Sequence, residues 1–345
     1  MHKVSICGHF GFGETLLNGQ TVKTKIITDE LEIQLGPKAV RKIDTHGGVL
    51  QIVKSVVLAV MAMFTSHNLI ILPAHNGIRI FGPVLASLKK ISRCRLHYVV
   101  IGGWLPQMLL NKASLAKALK VFDVIYVETT TMRKAMEDQG FCNVVVMPNC
   151  KKLSILPKTE LVYHRAAPYP LCTFSRVMEE KGIEDAVYAV KDVNDREGRI
   201  LYTLDIYGQV DPGYQERFSQ LQSVWPDYIS YRGAVPFDES VQVLKEYAAL
   251  LFPTRFYTEG VPGTIIDAYA AGIPVISSRW ESFADVVDEG ITGIGYPFGE
   301  QTELVNILKR IDGDPQILAG LKINCLEKAA AFSMKVIDNE LICRL

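Results

Sequence analysis

The chain has 345 residues, of which 48% are hydrophobic and 21% charged, and these proportions exclude a disordered, collagen-like or disulfide-scaffold protein. This length predicts about two domains, each able to bury a core. The net charge is zero, yet residues 1–155 carry 19 Lys and Arg against 9 Asp and Glu, whereas residues 156–345 carry 18 against 28.

Short apolar strands alternate with amphipathic segments. In the first half we predict strands at 3–8, 69–74, 95–101, 121–128 and 144–149, and helices at 19–34, 46–65, 82–91 and 131–140. In the second half we predict strands at 170–175, 201–208, 228–234, 247–254 and 273–278, helices at 181–194, 213–223, 238–246 and 261–272, and a helical region from 302 to 345. This alternation predicts an α/β fold with parallel sheets covered by helices.

The stretch MPNCKKLSILPK has two prolines and no periodicity, and it predicts a domain boundary near 150–160. We assign residues 1–155 and 156–325 to two Rossmann-like domains, and 326–345 to a C-terminal helix that could cross back to the first domain. Ligands of such sheets bind beyond the carboxyl ends of the strands, which here also predicts the cleft between the domains.

The basic first half favours an anionic partner, with an ordinary solvated surface as the alternative. Nucleic acid is disfavoured because the basic residues lack interleaved aromatic residues and no known module is present. Seven scattered cysteines without a CxxC pair are typical of a reducing compartment. We find no signal-peptide pattern, and the longest apolar run, 56–64, is shorter than the roughly 20 residues that cross a bilayer. We therefore expect a cytoplasmic protein.

The first strand opens into the loop GHFGFGETLLNGQTVKTK, with glycines at 8, 11, 13 and 19. Asn18 and Gly19 precede a helix, whose free N–H groups form an anion site, so we expect this loop to contact a ligand. A flexible surface loop is the alternative. Neither GxGxxG nor GxxxxGK[ST] is present, which disfavours a nicotinamide or flavin enzyme and excludes a P-loop NTPase.

Two cations follow the strand 170–175. Arg176 and Lys181 stand at the end of that strand and the start of the next helix, where together they can clamp a diphosphate. The alternative is an ordinary helix entry with Lys181 in solvent.

The segment from Leu251 to Pro274 carries the strongest pattern. Its helix is predicted to begin at Pro262 and to end at Gly272. The backbone amides of Gly263 and Thr264 then form an anion site, with Glu259 just before it and Asp267 one turn later on the same face. Such carboxylates can accept hydrogen bonds from sugar hydroxyls. The alternative is two exposed acids at a helix start.

The segment EGVPGTIIDAYAAGIPVISS (259–278) resembles the E-x7-E segment of the retaining GT-B glycosyltransferases of family 4. Residues 174–187 resemble that family's KG segment, and residues 127–150 its run into the interdomain linker. Residues 231–254 resemble its nucleobase-contacting strand and the following helix. The resemblance covers most of residues 120–300 and implies the GT-B fold: two tandem Rossmann-like domains with parallel sheets facing across a cleft, the first on the acceptor side and the second binding the nucleotide sugar.

The resemblance also implies roles for individual residues. Arg176 and Lys181 would bind the donor diphosphate, and Glu259 would hold hydroxyls of the transferred sugar. Asp267 stands where the family has its second glutamate and would hold the ribose. The remaining implied donor contacts are Gly19, Val235, Gly260, Val261, Pro262, Gly263 and Thr264.

One departure concerns a histidine that the family often has near the sugar, where this chain has Ile101 followed by Gly102. His97 lies four residues earlier inside the strand, and we predict that it is a packed core residue. His9, His75 and Gly102 remain candidate contacts to acceptor or sugar.

The resemblance implies a retaining hexosyltransferase without metal or other cofactor, with a UDP-sugar donor first and a GDP-sugar second. The acceptor would be a glycan or a lipid-linked glycan in bacterial cell-surface polysaccharide assembly, with peripheral contact at the inner membrane face through the Lys89–Arg95 cluster. The sequence Asp312-Gly313-Asp314 spells the DxD metal motif, but its place in a helical region predicts a turn and a helix cap. The alternative function is a non-catalytic sugar-nucleotide-binding GT-B protein.

Overall fold

The computed structural model describes residues 2–14, 19–314 and 316–345. It divides into two compact units: unit 1 comprises Met1–Lys152 with Phe332–Leu345, and unit 2 comprises Leu153–Ala331. The division follows Lys152, inside the aperiodic stretch, and the C-terminal segment of unit 1 begins at Phe332.

Unit 1 is a parallel sheet with helices between its strands. Its strands are β1 (His2–Gly8), β2 (Val40–Asp44), β3 (Ser66–Ile71), β4 (Arg95–Val99), β5 (Val124–Val127) and β6 (Val144–Val146), in the order β2-β1-β3-β4-β5-β6. The helices between them are α1 (Gly19–Leu35), α2 (Val49–Thr65), α3 (His75–Leu88), α4 (Leu105–Leu110), α5 (Ala113–Leu119) and α6 (Thr130–Glu137).

Three features of unit 1 differ from the prediction. Strand β2 was missed because it is short and lies at the edge of the sheet, where Arg41 and Lys42 interrupt its apolar pattern. Helices α4 and α5 were also missed. Helix α3 begins at His75 and contains Pro83, although the prediction started it at Gly82.

Unit 2 repeats the pattern with a second parallel sheet. Its strands are β7 (Tyr169–Phe174), β8 (Tyr202–Tyr207), β9 (Ile229–Gly233), β10 (Ala249–Phe252), β11 (Val275–Ser278) and β12 (Gly293–Tyr296), in the order β12-β11-β10-β7-β8-β9. Its helices are α7 (Ile183–Glu197), α8 (Gln215–Gln222), α9 (Ser240–Leu244), α10 (Gly263–Ala270), α11 (Phe283–Val286), α12 (Gln301–Gly313) and α13 (Gln316–Ala329).

The start of α10 corrects one expectation. Pro262 precedes the helix in an extended conformation, so Gly263 is the first helical residue. The helix ends at Ala270, and Gly272 follows with φ of 68°. Strand β12 was not predicted because Gly293 and Gly295 interrupt its apolar run at the edge of the sheet, and helix α11 was not predicted because it has only four residues.

The last described segment packs into the core of unit 1. It contains α14 (Lys335–Glu340), and its Ile337 and Leu341 are completely buried. Beyond it, the Asn68 side-chain amide donates to the Leu345 carbonyl at 3.2 Å. Buried apolar contacts and a partly buried hydrogen bond therefore hold this segment on the first sheet.

Both sheets have a point where the strand order reverses. In unit 1 it lies between β1 and β3, and in unit 2 between β7 and β10. Loops at such a switch point diverge beyond the carboxyl ends of the strands and leave room for a ligand. Across the part of the chain that the structure describes, no helix is both long and apolar enough to cross a membrane.

Candidate functional site

In unit 2, the loops after β7 and β10 meet at the switch point. Gly182 has φ of 67°, and a Cβ built on it would stand 1.9 Å from the Pro253 carbonyl oxygen. Only glycine permits both this left-handed conformation and this close approach. Gly182 therefore brings Lys181, its neighbour, against the residues that follow β10.

Lys181 and Glu259 form an ion pair at this point. Their side chains are only 17% and 15% exposed, and the Thr254 hydroxyl donates a further hydrogen bond to Glu259 at 3.2 Å. The Lys181 ammonium also lies 5.5 Å from the Phe252 ring centre and 5.1 Å from that of Phe256. This largely buried cation is thus held by a carboxylate and two aromatic faces.

A second ion pair supports the same loops. The Arg255 guanidinium makes two hydrogen bonds to the Asp185 carboxylate, at 2.7 and 2.9 Å, and its backbone N–H donates to the Glu180 carbonyl. The hydrogen bond to Asp185 raises the pKa of Arg255 further. Sequence reasoning missed this pair, because nothing in the spacing of 185 and 255 indicates that they meet.

The start of α10 lies directly after Glu259. Gly260, Val261 and Pro262 are buried. The N–H groups of Gly263 and Thr264 belong to the first turn and have no acceptor within the helix, which makes them available to an anion. The Thr264 hydroxyl oxygen is buried and has no hydrogen-bond partner. Asp267 is 5% exposed, so it is a buried carboxylate rather than a surface acid.

Arg176 is placed differently from Lys181. Its side chain is 54% exposed and forms an ion pair with Asp211 at 2.6 Å, beside the bridge that links Val177 to Val210. The two predicted diphosphate ligands therefore have separate carboxylate partners in this structure. Val235 is half-buried in the loop after β9.

In unit 1, the loop after β1 contains a hydrogen-bonded chain of side chains. His9 Nδ1 lies 2.7 Å from the Thr21 hydroxyl, and His9 Nε2 lies 3.0 Å from His46 Nδ1. His46 Nε2 lies 3.2 Å from a Glu14 carboxylate oxygen. Sequence reasoning selected His9 but missed His46 and Glu14, because His46 follows the strand β2 that was not predicted.

Asp44, at the end of β2, fixes the backbone of that loop. Its carboxylate accepts hydrogen bonds from the N–H groups of Phe10, Gly11, Phe12 and His46. Burial alone would raise the pKa of Asp44, but these four donors together lower it. Burial, and secondarily the facing His46, lower the pKa of His9.

The loops after β3 and β4 also meet. The rings of His75 and Trp104 are in edge-to-face contact with centres 5.1 Å apart, and the Trp104 indole donates to the Ile101 carbonyl at 2.8 Å. Gly102, which follows Ile101 in the chain, has φ of 79°. Gly19 is the first residue of α1, and a Cβ built on it would meet nothing within 4 Å. Asn18 lies outside the described residues.

Two other expectations concern residues away from these loops. His97 is completely buried, as predicted, and both of its ring nitrogens have partners, Tyr126 and Asn68. Asp312 pairs with Arg199, and Asp314 accepts a hydrogen bond from the Gln316 N–H at the start of α13. Among the residues that the structure describes, no group of His, Cys, Asp or Glu is arranged to hold a metal ion.

Comparison with known proteins agrees with this architecture. Residues 169–314 match the family model described as glycosyl transferases group 1. The amylovoran biosynthesis glycosyltransferase AmsK of Erwinia amylovora is 26% identical over 148 residues, which are 42% of this chain and 36% of AmsK. The putative colanic acid biosynthesis glycosyltransferase WcaL of Salmonella typhimurium is 26% identical over 182 residues, 50% of this chain and 44% of WcaL. The matches thus span less than half of either relative.

Two solved structures resemble the whole described fold. HepE from Anabaena, in complex with UDP and glucose, has a TM-score of 0.71 at 15% identity, with 98% of each chain covered. The sucrose-phosphate synthase of Thermosynechococcus elongatus has a TM-score of 0.74 at 16% identity, covering 98% of this chain and 96% of that one. Residues 169–314 therefore match the glycosyl transferases group 1 family, and the two sheets follow the fold of the GT-B glycosyltransferases.

Proposed function

We propose that this protein is a retaining glycosyltransferase that transfers a sugar from a nucleoside-diphosphate donor to a glycan or a lipid-linked glycan. The observation that carries the proposal is the largely buried ion pair of Lys181 and Glu259 at the switch point of a group 1 glycosyltransferase domain. Because HepE binds UDP and UDP-glucose, a UDP-sugar is the first candidate donor and a GDP-sugar the second. The similarity to AmsK and WcaL supports a role in polysaccharide biosynthesis.

Negative charge develops on the diphosphate as it leaves the sugar. We assign its stabilisation to Lys181, Arg176 and the N–H groups of the first turn of α10. The contacts of Lys181 orient its ammonium before the donor arrives, which reduces the reorganisation needed. Arg176 can exchange Asp211 for the diphosphate at low cost, because an exposed ion pair contributes only about 0–1 kcal/mol.

The carboxylates serve the neutral parts of the donor. Glu259 has further lone pairs to accept hydrogen bonds from sugar hydroxyls, and Asp267 accepts those of the ribose. We assign the base to the loop around Val235. The other donor contacts in this proposal are Gly19, Gly260, Val261, Pro262, Gly263 and Thr264.

The loops of unit 1 are assigned to the acceptor side, with His9, His75 and Gly102 as contacts to acceptor or sugar. No metal or other cofactor enters the proposed reaction. In a retaining transfer the departing diphosphate can accept the proton of the acceptor hydroxyl, so no protein base is required. A cytoplasmic location remains part of the proposal.

The test has two readouts. A thermal-shift screen with UDP-, GDP- and ADP-sugars identifies the donor, because a ligand that binds only the folded state raises the unfolding temperature. Release of the nucleoside diphosphate is then compared in wild type, Arg176→Ala and Glu259→Ala, with the exposed Glu216→Gln as control. We expect both site variants to lose most of the release and the control to retain it. Near-normal rates in both site variants would eliminate this site.

A second candidate function is a non-catalytic sugar-nucleotide-binding protein. Two observations favour it. Ile101 stands where the glycosyltransferases that this chain resembles often have a histidine, and Asp267 stands where they have their second glutamate. A donor that raises the unfolding temperature without any diphosphate release would support this candidate and contradict the enzymatic one.

A further inference from the structure

In helix α2 most of the buried side chains are small and many of the exposed ones are large and apolar, which is the reverse of an ordinary surface helix. Its buried residues are Ser55, Ala59, Ala62 and Met63, of which three are small. Five of the exposed residues are large and apolar, Leu50, Val53, Val57, Met61 and Phe64, with exposed fractions from 50% to 87%. Their spacing of three or four residues places them on one face. The half-buried Val56, Leu58 and Val60 complete the packing against the core, so packing does not explain the large exposed residues.

The segment of the chain that contains this face is one-sided in charge. No Asp or Glu occurs between Asp44 and Asp123, whereas nine Lys and Arg do. Lys54 is the only charged residue of α2. Scattered apolar residues on a surface need no explanation, but a continuous apolar stripe of this length, without acids, indicates a docking surface.

A basic groove continues from the end of α2. Met63 accepts a hydrogen bond from the Ser92 hydroxyl at 2.6 Å, which holds the exposed Lys90, Ile91 and Arg93 beside the last turn of the helix. An open groove of about 510 Å3 lies at the amino ends of β1, β3 and β4, and it is lined by Lys3, His67, Asn68, Arg93, Arg95 and Leu345. Because Arg95 donates to the Arg344 carbonyl, the other basic residues of the groove are more available to an anionic group.

We propose that the outward face of α2 and this groove form a membrane-docking surface for an anionic lipid bilayer. The five apolar side chains enter the boundary between headgroups and acyl chains, and the cations of the groove and of the Lys90–Arg93 loop bind lipid phosphates. Burial of apolar side chains together with attraction to anionic lipids is the combination that holds interfacial helices. A protein partner with an acidic face would satisfy the cations but would not explain an apolar stripe whose helix exposes only Lys54 and the terminal Thr65 as polar residues.

The test is sedimentation of the full chain with vesicles. We expect binding to vesicles of phosphatidylcholine with phosphatidylglycerol, weaker binding to phosphatidylcholine alone, and a decrease as salt is raised. The double variant Leu50→Gln/Val57→Gln should lose roughly tenfold in partitioning for each side chain removed. Lys90→Ala/Arg93→Ala should lose roughly fivefold for each cation. Val224→Gln, an equally exposed apolar residue of unit 2, is the matched control.

Three outcomes would overturn the inference. They are equal binding to neutral and anionic vesicles, unchanged binding in both double variants, and a concentration-dependent dimer that Leu50→Gln/Val57→Gln converts to monomer, which would assign the face to a second copy of this chain. Unfolding temperatures of all variants should match wild type, since every substituted residue is exposed. The inference does not depend on the proposed function, because vesicle binding is measured without donor or acceptor.

Discussion

The loops at the carboxyl ends of the two sheets are built from different chemistry. At the end of β7 and β10 the loops are held by paired charges, Lys181 with Glu259 and Arg255 with Asp185. At the end of β1 and β2 the contacts run through imidazoles and one carboxylate that binds backbone N–H groups, Asp44. Paired charges at fixed positions suit a ligand of constant charge, such as a diphosphate. Imidazoles and glycines suit partners whose hydroxyl groups vary.

The first prediction concerns the ion pair of Lys181 and Glu259 and has the largest expected effect. Lys181→Met should lower kcat by about 10²–10³, the range for removal of one preorganised group that stabilises developing charge. Glu259→Gln should also lower kcat, because Lys181 then loses the carboxylate that orients it and the sugar loses a charged acceptor. Lys181→Met should also destabilise the fold by roughly 3 kcal/mol, because the largely buried Glu259 carboxylate loses its partner. The measurements are initial rates of transfer and equilibrium unfolding.

The double variant Lys181→Met/Glu259→Gln separates catalysis from stability. It should recover most of the lost stability, since no unpaired charge remains, but it should not recover activity. Near-normal transfer by this double variant would show that the pair only supports the fold.

A second prediction concerns how closely the two loops of unit 2 approach each other. Gly182→Ala should destabilise the protein by roughly 2–4 kcal/mol, because a left-handed alanine adds its strain to a clash with the Pro253 carbonyl. Gly198→Ala is the matched control: its φ is 61°, but a Cβ there meets nothing within 4 Å. We expect the control to lose about 1–2 kcal/mol. Urea unfolding measures both, and equal losses would refute the role of close approach.

The third prediction concerns a buried imidazole of unit 1, that of His97. Burial lowers the pKa of His97 from its ordinary 6.5 to about 4. The unfolded chain therefore binds this proton first as the pH falls, so stability is lost from about pH 6.5 downward and the loss is complete near pH 4. One pKa unit corresponds to about 1.4 kcal/mol, so the loss amounts to roughly 3 kcal/mol.

His97→Gln should remove that part of the pH dependence while retaining a hydrogen-bonding side chain beside Asn68 and Tyr126. The measurement is the free energy of unfolding at pH 7 and pH 4.5, with the exposed His67→Gln as control. A pH dependence in His97→Gln as steep as that of wild type would contradict the assignment to this imidazole.

Much of the fold could be predicted because apolar strands that are buried on both faces, such as β3, have a pattern visible along the chain. The elements that were missed are short or lie at a sheet edge, as β2 does, so their residues are not uniformly apolar. The loops after β7 and β10 could be singled out because their residues lie within continuous segments, whereas Asp185 and Arg255 are 70 residues apart and no local pattern joins them.

By itself the sequence determined two parallel α/β units, the order of their main strands along the chain, and the segments that resemble nucleotide-sugar enzymes, because periodicity and motif spacing are local properties. Tertiary structure alone decided that Lys181 pairs with Glu259 while Arg176 pairs with Asp211, that His9 faces His46, and that α2 turns its large side chains outward. These facts depend on which strands become neighbours and on which helix face the sheet covers. Strand order and helix rotation are set by burial over the whole core, which no single segment encodes.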